Sequence, residues 1–285
     1  MLARLVKLVL DLVPGAVIDR TRRIPVLASV LRRGLGVVSG PLHGRVVPIA
    51  HGPAKGLLLV FDETSAVWAS GKTEASLQRA LERLLEPGSV FIDIGANVGF
   101  FTLLGARLIG PSGKVIAFEP HAENVQRLRR NVELNAFSNV EVIVKAVSDA
   151  SGHRFLDARH PATAALLPAN HSRPGDGLAC VEATSLDDFL ATRPDLDPDV
   201  LKIDAEGHEV EIVRGMLTLL RRRDVVLLCE MHGRDREFAT ALDTVEYVAS
   251  SVPGSSRLQH VIAAPRRTSV FEDDVAGPSD ACGET

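Results

Sequence analysis

Residues 90–102 read VFIDIGANVGFFT, an apolar run interrupted by a Gly-x-Asn-x-Gly segment. The apolar part predicts a buried strand, and the segment from Gly95 to Gly99 predicts a tight turn that opens a helix. Glycine at both positions lets the backbone approach a ligand where a Cβ atom would collide, and Asn97 tolerates unusual backbone angles. In open α/β sheets such a turn lies at the carboxyl end of a parallel strand, where ligands bind.

The next predicted strand also ends in a polar side chain. Residues 117–120 read AFEP, so Glu119 closes the strand twenty residues after Gly99, and Pro120 cannot continue the hydrogen-bonded ladder. A carboxylate at this point can accept hydrogen bonds from both hydroxyls of a ribose, each worth about 1.5–3 kcal/mol when charge-assisted. The two strand ends together predict a nucleoside pocket.

Three interpretations of this pocket are open. A nicotinamide dinucleotide enzyme would carry Gly-x-Gly-x-x-Gly, with a helix N-terminus directed at a pyrophosphate. Here the spacing is different, and Asp93 stands just before the turn. A carboxylate there repels a pyrophosphate but suits the ammonium group of a methionine moiety, so the pattern favours S-adenosylmethionine. The third interpretation is a tight strand–helix turn with no ligand. A non-catalytic binding or scaffold protein with a degenerate methyltransferase fold is a further alternative for the whole chain, since a fold alone does not establish an activity.

A second constellation lies in residues 198–209, which read PDVLKIDAEGHE. Side chains of a strand alternate between its faces, so Lys202 and Asp204 share one face and could pair with each other. Asp204 and Glu206 follow the strand at the edge where ligands bind, which makes them candidate catalytic residues.

A third cluster follows another apolar strand, in residues 227–232, which read LLCEMH. We expect Glu230 and His232 to lie near Asp204 if the two strands are neighbours in the sheet. Two acids and a histidine could orient an acceptor hydroxyl, remove its proton, or bind a divalent ion such as Mg²⁺. The residue pattern does not identify metal ligands, so a metal-free mechanism with Glu206 or His232 as the base is slightly favoured.

Residues 89–264 alternate short apolar runs with amphipathic stretches, the pattern of a mostly parallel sheet. The predicted fold class is therefore α/β, a Rossmann-like sheet with a helical N-terminal extension. Predicted strands cover 90–94, 114–119, 140–145, 200–204, 225–230 and 258–263; predicted helices cover 73–85, 99–108, 122–134, 209–222 and 235–248; and a loop covers 160–177. The predicted domains are an extension and cap (1–86), a donor-binding domain (87–264) and a disordered tail (265–285).

Composition restricts the possible partners. The chain has 285 residues, 46% of them hydrophobic, and a formal net charge of −4, so no overall positive field favours nucleic acid. Three scattered cysteines match no zinc or disulfide spacing and suit a reducing cytoplasm. The first 40 residues are apolar and basic but too interrupted by charge to span a bilayer. They predict a helix packed on the main domain, with a peripheral membrane contact as the alternative.

Taken together, these segments resemble the FkbM-type methyltransferases over about residues 56–232. The residues that carry the resemblance are DIGANVG at 93–99, FEP at 118–120 with Asn124, Leu128, Asn131 and Asn135, SLD at 185–187, KIDAEG at 202–207, Glu230, and WASGKTE at 68–74. Thr73 departs from the family pattern, in which an aromatic residue is expected, and this leaves the role of Glu74 unassigned.

The resemblance implies a class I methyltransferase sheet, S-adenosylmethionine as the methyl donor, and O-methylation of a sugar, glycolipid, polyketide or similar small-molecule or glycan acceptor. It implies that Asp93, Gly95, Asn97 and Gly99 surround the methionine and ribose, and that Glu119 holds the ribose. Ser148 and Asp149 would lie by the adenine. Asp204 and Glu206 would line the side of methyl transfer.

Overall fold

The computed structural model describes residues 43–62, 65–167, 175–222, 224–255 and 260–266. The predicted N-terminal helical segment and nearly all of the predicted tail lie outside these ranges, so the domain division stays a prediction. Within the described part of the chain, no helix combines the length and the apolar character needed to cross a membrane.

The described residues form strands and helices that alternate along most of the chain. The strands are β1 (Val46–Pro48), β2 (Leu58–Val60), β3 (Val90–Ile94), β4 (Lys114–Phe118), β5 (Val140–Ile143), β6 (Ala146–Val147), β7 (Gly152–Asp157), β8 (Ala165–Leu166), β9 (Leu178–Thr184), β10 (Val200–Ile203), β11 (Val226–Glu230), β12 (Tyr247–Ser251) and β13 (His260–Pro265). The helices are α1 (Ala66–Ala69), α2 (Ala75–Leu84), α3 (Phe100–Ile109), α4 (Ala122–Leu134), α5 (Leu186–Ala191), α6 (Glu209–Arg214), α7 (Leu217–Arg222) and α8 (Asp235–Asp243).

Among the described residues, the central sheet has seven strands in the order β12-β13-β11-β10-β3-β4-β5. β11, β10, β3, β4 and β5 are parallel, and β13 is inserted antiparallel between β11 and β12. The predicted α/β class with a mostly parallel, Rossmann-like sheet is confirmed. Because β10 lies between β3 and β11, the ends of all three strands meet at one edge, which positions the candidate site.

Two apolar layers cover the sheet, and β3 contributes to both of them. Ile92 and Ile94 belong to one buried cluster, which includes side chains of α6, α7 and α8. Phe91 belongs to the other, together with side chains of α2, α3 and α4. This alternation follows from the two-residue period of a strand, and it places Asp93 on the face covered by α3.

Two predicted helices differ from the observed elements. The helix expected over 209–222 is divided into α6 and α7 at Gly215, where a Cβ atom would lie only 2.0 Å from the carbonyl oxygen of Ser148. The helix expected over 235–248 ends at Asp243, and β12 begins at Tyr247. The prediction that this helix extends to residue 248 was wrong, because Glu246 adopts a positive φ of 60°, which a continuous helix does not permit.

A second sheet, with strand order β6-β9-β7-β8, was not predicted. Its short β6 and β8 strands have no apolar pattern long enough to read from the sequence. The expected loop over 160–177 includes β8 and a short 3₁₀ turn at Pro161–Thr163, while residues 168–174 lie outside the described ranges.

The β1–β2 hairpin is attached to α4 by asparagine side chains. Oδ1 of Asn131 accepts from the backbone N–H of Val60 (2.8 Å), and its Nδ2 donates to the carbonyl of Val98 (2.8 Å). Asn135 exchanges two similar bonds with the backbone of Leu58. Both asparagine side chains therefore pair with the edge of β2, and Asn131 also links this hairpin to the turn before α3.

Replacing Asn131 with alanine should destabilise the fold by about 2–3 kcal/mol, because it leaves the amide of Val60 and the carbonyl of Val98 without their partner. Urea unfolding followed by circular dichroism measures the change. The matched control is Glu133→Ala on the same helix, whose ion pair with Arg130 is exposed and should be worth less than about 1 kcal/mol. Equal effects of the two substitutions would contradict this role of Asn131.

Candidate active site

The turn after β3 is fixed by two close approaches. Gly95 has a φ of 74°, and a Cβ atom there would lie 1.8 Å from the carbonyl oxygen of Asp204. Gly99 has a φ of 94°, and a Cβ atom there would meet Leu128 at 2.4 Å. Asn97, between them, also has a positive φ, of 51°. The Gly-x-Asn-x-Gly pattern therefore suits this turn, because all three positions have a positive φ and the two glycines leave no room for a Cβ atom.

Glu119 binds this turn directly. Its Oε2 accepts from the backbone N–H of Asn97 (2.8 Å), and its Oε1 accepts from the backbone N–H of His121 (2.8 Å) and from Asn124 (3.4 Å). Burial raises the pKa of Glu119 to about 7, although the two backbone hydrogen bonds oppose the shift. Oδ1 of Asn97 is buried and has no hydrogen-bond partner among the described residues. The turn and the predicted ribose carboxylate therefore form one connected unit.

Lys202 joins the turn to the end of β10. Its Nζ lies 3.1 Å from the carbonyl oxygen of Gly95, 3.4 Å from Oδ1 of Asp93 and 3.4 Å from Oδ2 of Asp204. Burial lowers the pKa of Lys202, but Asp93 and Asp204 raise it by more, so the net shift is upward. The expected pair with Asp204 is present, and Asp93 is a second partner.

Asp93 is fully buried, with no exposed surface. Its Oδ2 accepts from the hydroxyl of Thr102 at 2.6 Å, and its Oδ1 faces Lys202. In this arrangement its carboxylate contacts the lysine and not an open surface. Its effect on a bound ligand would pass through Lys202 and the turn.

The predicted acidic side chains meet at the ends of β10 and β11. The strands are paired in parallel with Ile203 beside Cys229, so the residues that follow each strand face each other. Ligand atoms of Asp204, Glu230 and His232 lie within 4.8 Å of one another. Nε2 of His232 also lies 3.6 Å from Oε2 of Glu206, which has a positive φ of 49°.

Glu209, which the sequence did not single out, contacts the other nitrogen of the same imidazole. Its Oε1 lies 3.0 Å from Nδ1 of His232 and also accepts from the backbone N–H of Gly207 at 3.0 Å. Burial lowers the pKa of His232, but the bond to Glu209 and the charges of Asp204 and Glu206 raise it to about 9. The sequence signal that could have identified Glu209 is its position three residues after Glu206, at the predicted start of a helix.

Glu230 takes part in a second group, with Glu74 and His260. Their candidate ligand atoms also lie within 4.8 Å of one another, and all three residues are buried. Nδ1 of His260 is 3.2 Å from the hydroxyl of Ser76. His260 was missed because β13 enters this edge from the opposite direction. Glu74 belongs to the motif at 68–74, whose role the sequence left unassigned; it lies at the start of α2 with a φ of 50°.

Ser148 and Asp149 contact a different set of residues. The hydroxyl of Ser148 lies 2.9 Å from both Oδ1 of Asp149 and Nε2 of His208, and Arg154 lies 3.3 Å from the same carboxylate oxygen of Asp149. Burial lowers the pKa of His208. The adenine contact expected of Ser148 and Asp149 stays a prediction.

The remaining motif, at residues 185–187, serves the fold. Ser185 caps α5 by accepting from the backbone N–H of Asp188 at 3.0 Å. Asp187 accepts from the backbone N–H groups of Thr218 and Leu219, each at 2.8 Å, and so caps the first turn of α7. The division of the helix at Gly215 creates this second helix start.

The family model of the methyltransferase FkbM domain matches residues 93–252, which is more than half of the chain. The chain belongs to the FkbM methyltransferase family. The chain is similar to the hexuronic acid methyltransferase AglP of Haloferax volcanii, 25% identical over 195 residues that cover 68% of this chain and 77% of AglP. Methyltransferase 1 of Beauveria bassiana is 28% identical over 186 residues, or 55% of this chain and 70% of that protein.

Solved structures of methyltransferases are also similar to this FkbM domain. The methyltransferase FkbM of Methylobacillus flagellatus aligns with a TM-score of 0.43 at 16% identity, covering 72% of this chain and 55% of that one. An S-adenosylmethionine-dependent O-methyltransferase of Thermotoga maritima aligns with a TM-score of 0.44 at 14% identity, covering 78% and 77%.

Replacing Lys202 with methionine should destabilise this FkbM domain by about 3–5 kcal/mol, because it removes the cation between the fully buried Asp93 and the partly buried Asp204 and leaves their charges uncompensated. Urea unfolding at neutral pH measures the loss. Lys145→Met is the control, since the ion pair of Lys145 with Glu182 is partly exposed and should contribute less than about 1 kcal/mol. A Lys202→Met protein as stable as the unsubstituted chain would refute the argument.

Proposed function

We propose that this chain transfers a methyl group from S-adenosylmethionine to a hydroxyl oxygen of a sugar, glycolipid, polyketide or similar acceptor. The observation that carries the proposal is the placement of Asp204, Glu206, Glu230 and His232 beside the turn of Gly95. An oxygen nucleophile needs a proton acceptor, and this edge of the sheet provides four candidate groups. The family membership supports methyl transfer, and the residues of the edge support oxygen as the target.

The residues around the turn fit the donor. The oxygens of Glu119 can accept from the ribose hydroxyls, and the buried Oδ1 of Asn97 offers a further acceptor. Gly95 and Gly99 give the backbone its close approach, while Asp93 and Lys202 hold the turn against β10. S-adenosylmethionine supplies a methyl group already activated on a sulfonium, so the protein mainly has to align the reacting atoms.

On the acceptor side, Asp204 and Glu230 orient the acceptor by accepting hydrogen bonds from its neighbouring hydroxyl groups, and Glu206 or His232 takes the proton of the reacting hydroxyl. The acidic surroundings also favour the positive sulfonium over a neutral product, which draws the donor to this edge. We favour a mechanism without a metal, because Lys202 already places a fixed cation 3.4 Å from Asp204. A Mg²⁺ ion held by Asp204, Glu230 and His232 is the alternative, in which the ion would lower the pKa of the acceptor hydroxyl.

The sugar class is supported by one relative. AglP is described as a hexuronic acid methyltransferase, and it shares a quarter of its aligned residues with this chain. Sugars present several hydroxyl groups on one small molecule, which suits an edge with several hydrogen-bond acceptors. We therefore place carbohydrate acceptors first in the test.

The test is a methyl-transfer assay with isotopically labelled S-adenosylmethionine and a panel of neutral glycosides, hexuronic acids and polyketide-type alcohols, with matching amino sugars as controls. We expect one methyl group to be added to a hydroxyl, as detected by mass spectrometry, with no transfer to the amines. Turnover that survives EDTA and does not rise when Mg²⁺ is added back supports the metal-free mechanism. Binding of NAD in place of S-adenosylmethionine, or transfer to nitrogen alone, would overturn the proposal.

Donor affinity should depend on pH through Glu119. Because its pKa is raised to about 7, the carboxylate of the free protein is largely protonated below that pH and loses acceptor capacity. The dissociation constant for S-adenosylmethionine should therefore increase about tenfold per pH unit below about pH 7 and level off above it. Isothermal titration calorimetry between about pH 5.5 and about pH 8.5 measures this dependence.

Glu119→Gln should weaken donor binding by about one to two decades at high pH, by losing charge-assisted bonds, and should flatten the pH dependence. The control is Glu123→Gln, two residues into the exposed start of α4, which should leave both the affinity and the pH profile unchanged. An unsubstituted chain whose donor affinity does not vary with pH would disprove the assignment.

A further inference from the structure

We propose that Glu209 is a positioning residue for His232, and that it fixes Nε2 of the imidazole as the atom that receives the acceptor's proton. This inference rests on the proposed function and goes further by separating the two nitrogens of His232 into a structural one and a chemical one. Neither the family motif nor the resemblance assigns a role to Glu209.

The contacts place Glu209 behind the ring. Its side chain is almost completely buried, with 1% exposed, whereas that of His232 is 26% exposed. Nδ1 of His232 lies 3.0 Å from Oε1 of Glu209, while Nε2 faces Glu206 at 3.6 Å and Glu230 at 4.0 Å. One nitrogen is therefore held inside the protein, and the other lies among the residues of the acceptor edge.

The chemistry of the pair determines the tautomer. A carboxylate can only accept a hydrogen bond, so Nδ1 must carry a proton when it is bound to Glu209. Above its raised pKa of about 9 the imidazole is neutral and has a bare Nε2, which is the tautomer that can act as a base. In solution the neutral ring can place its proton on either nitrogen, and the proton on Nε2 would block this role.

The backbone restrains Glu209 as well. Its Oε1 accepts from the N–H of Gly207 at 3.0 Å, and Gly207 has a φ of 100° in the turn that follows β10. The side chain is thus anchored to the same turn that carries Glu206. This backbone hydrogen bond restrains the carboxylate of Glu209 at its place opposite Nδ1 of His232.

One proton and one methyl group are transferred in the proposed step. The O–H bond of the acceptor breaks and its proton moves to Nε2 of His232, while Nδ1 keeps its proton and its bond to Glu209. The oxygen forms the new bond to the methyl carbon, and the methyl–sulfur bond breaks with its electron pair remaining on sulfur. The resulting imidazolium lies between Glu209 on one side and Glu206 on the other, so its positive charge is compensated.

A double-mutant cycle tests the coupling. In assays above about pH 9, where the ring of His232 is neutral, we expect Glu209→Ala to lower kcat about 100-fold while KM and donor affinity change less than about threefold, because general-base catalysis is lost and binding is not. In a His232→Ala background the same substitution should have almost no further effect on kcat. Glu209→Gln should retain most of the activity, since its amide oxygen can still accept from Nδ1. A purely structural role would lower kcat in both backgrounds.

The control is Glu211→Ala on the same helix, which removes an ion pair with Arg234 and should leave kcat within about twofold. Nitrogen-15 NMR of the histidine rings gives a readout that needs no turnover. Recorded above about pH 9, where the ring is neutral, the spectra should show His232 protonated on Nδ1 in the full chain and in Glu209→Gln, and shifted towards the Nε2-protonated form in Glu209→Ala. Protonation on Nε2 in the unsubstituted chain would overturn the inference about Glu209, even if methyl transfer is confirmed. If the Nδ1 form is present but no methyl transfer is detected, the result counts against the proposed function instead.

Discussion

The ammonium group of Lys202 is the interaction on which the site depends. It is buried, and it contacts the carbonyl of Gly95 and the carboxylates of Asp93 and Asp204, so a single cation links β3, its turn and β10. Removing two carboxylates and an ammonium from water is costly, and only their close mutual contact offsets that cost. The same charge that stabilises the centre of the sheet also keeps the two sides of the candidate site at a fixed separation.

Outside this centre, acidic groups are arranged by two different kinds of structure. Asp204, Glu206 and Glu230 follow parallel strands, and their proximity is a direct result of the strand order. Glu74 and His260 arrive from a helix before the sheet and from an antiparallel strand. Glu230 belongs to both groups and lies where the parallel part of the sheet meets β13. The site therefore combines residues placed by the order of the parallel strands with residues contributed by a helix and an antiparallel strand.

This difference explains how much could be predicted from the sequence. The β3 turn, Glu119 and the strand-end residues were predictable, because their spacing follows local rules of strands and turns. The meeting of Asp204 with His232 needed only the assumption that their strands are neighbours. Glu74 and His260 could not be predicted, because their contacts join residues far apart in the chain through an antiparallel insertion. Tyr247 was assigned to a helix because the reversal at Glu246 has no marker such as glycine.

The close approach of Gly95 to the carbonyl of Asp204 has a consequence for the evolution and engineering of such enzymes. The two turns touch through their backbones, so neither can be lengthened or exchanged without matching changes in the other. Recombination between relatives would preserve this interface only if the crossover points lie outside the pair, with both turns inherited from one parent. Diversity in acceptor choice is then expected to accumulate in those surrounding loops that make no backbone contact of this kind.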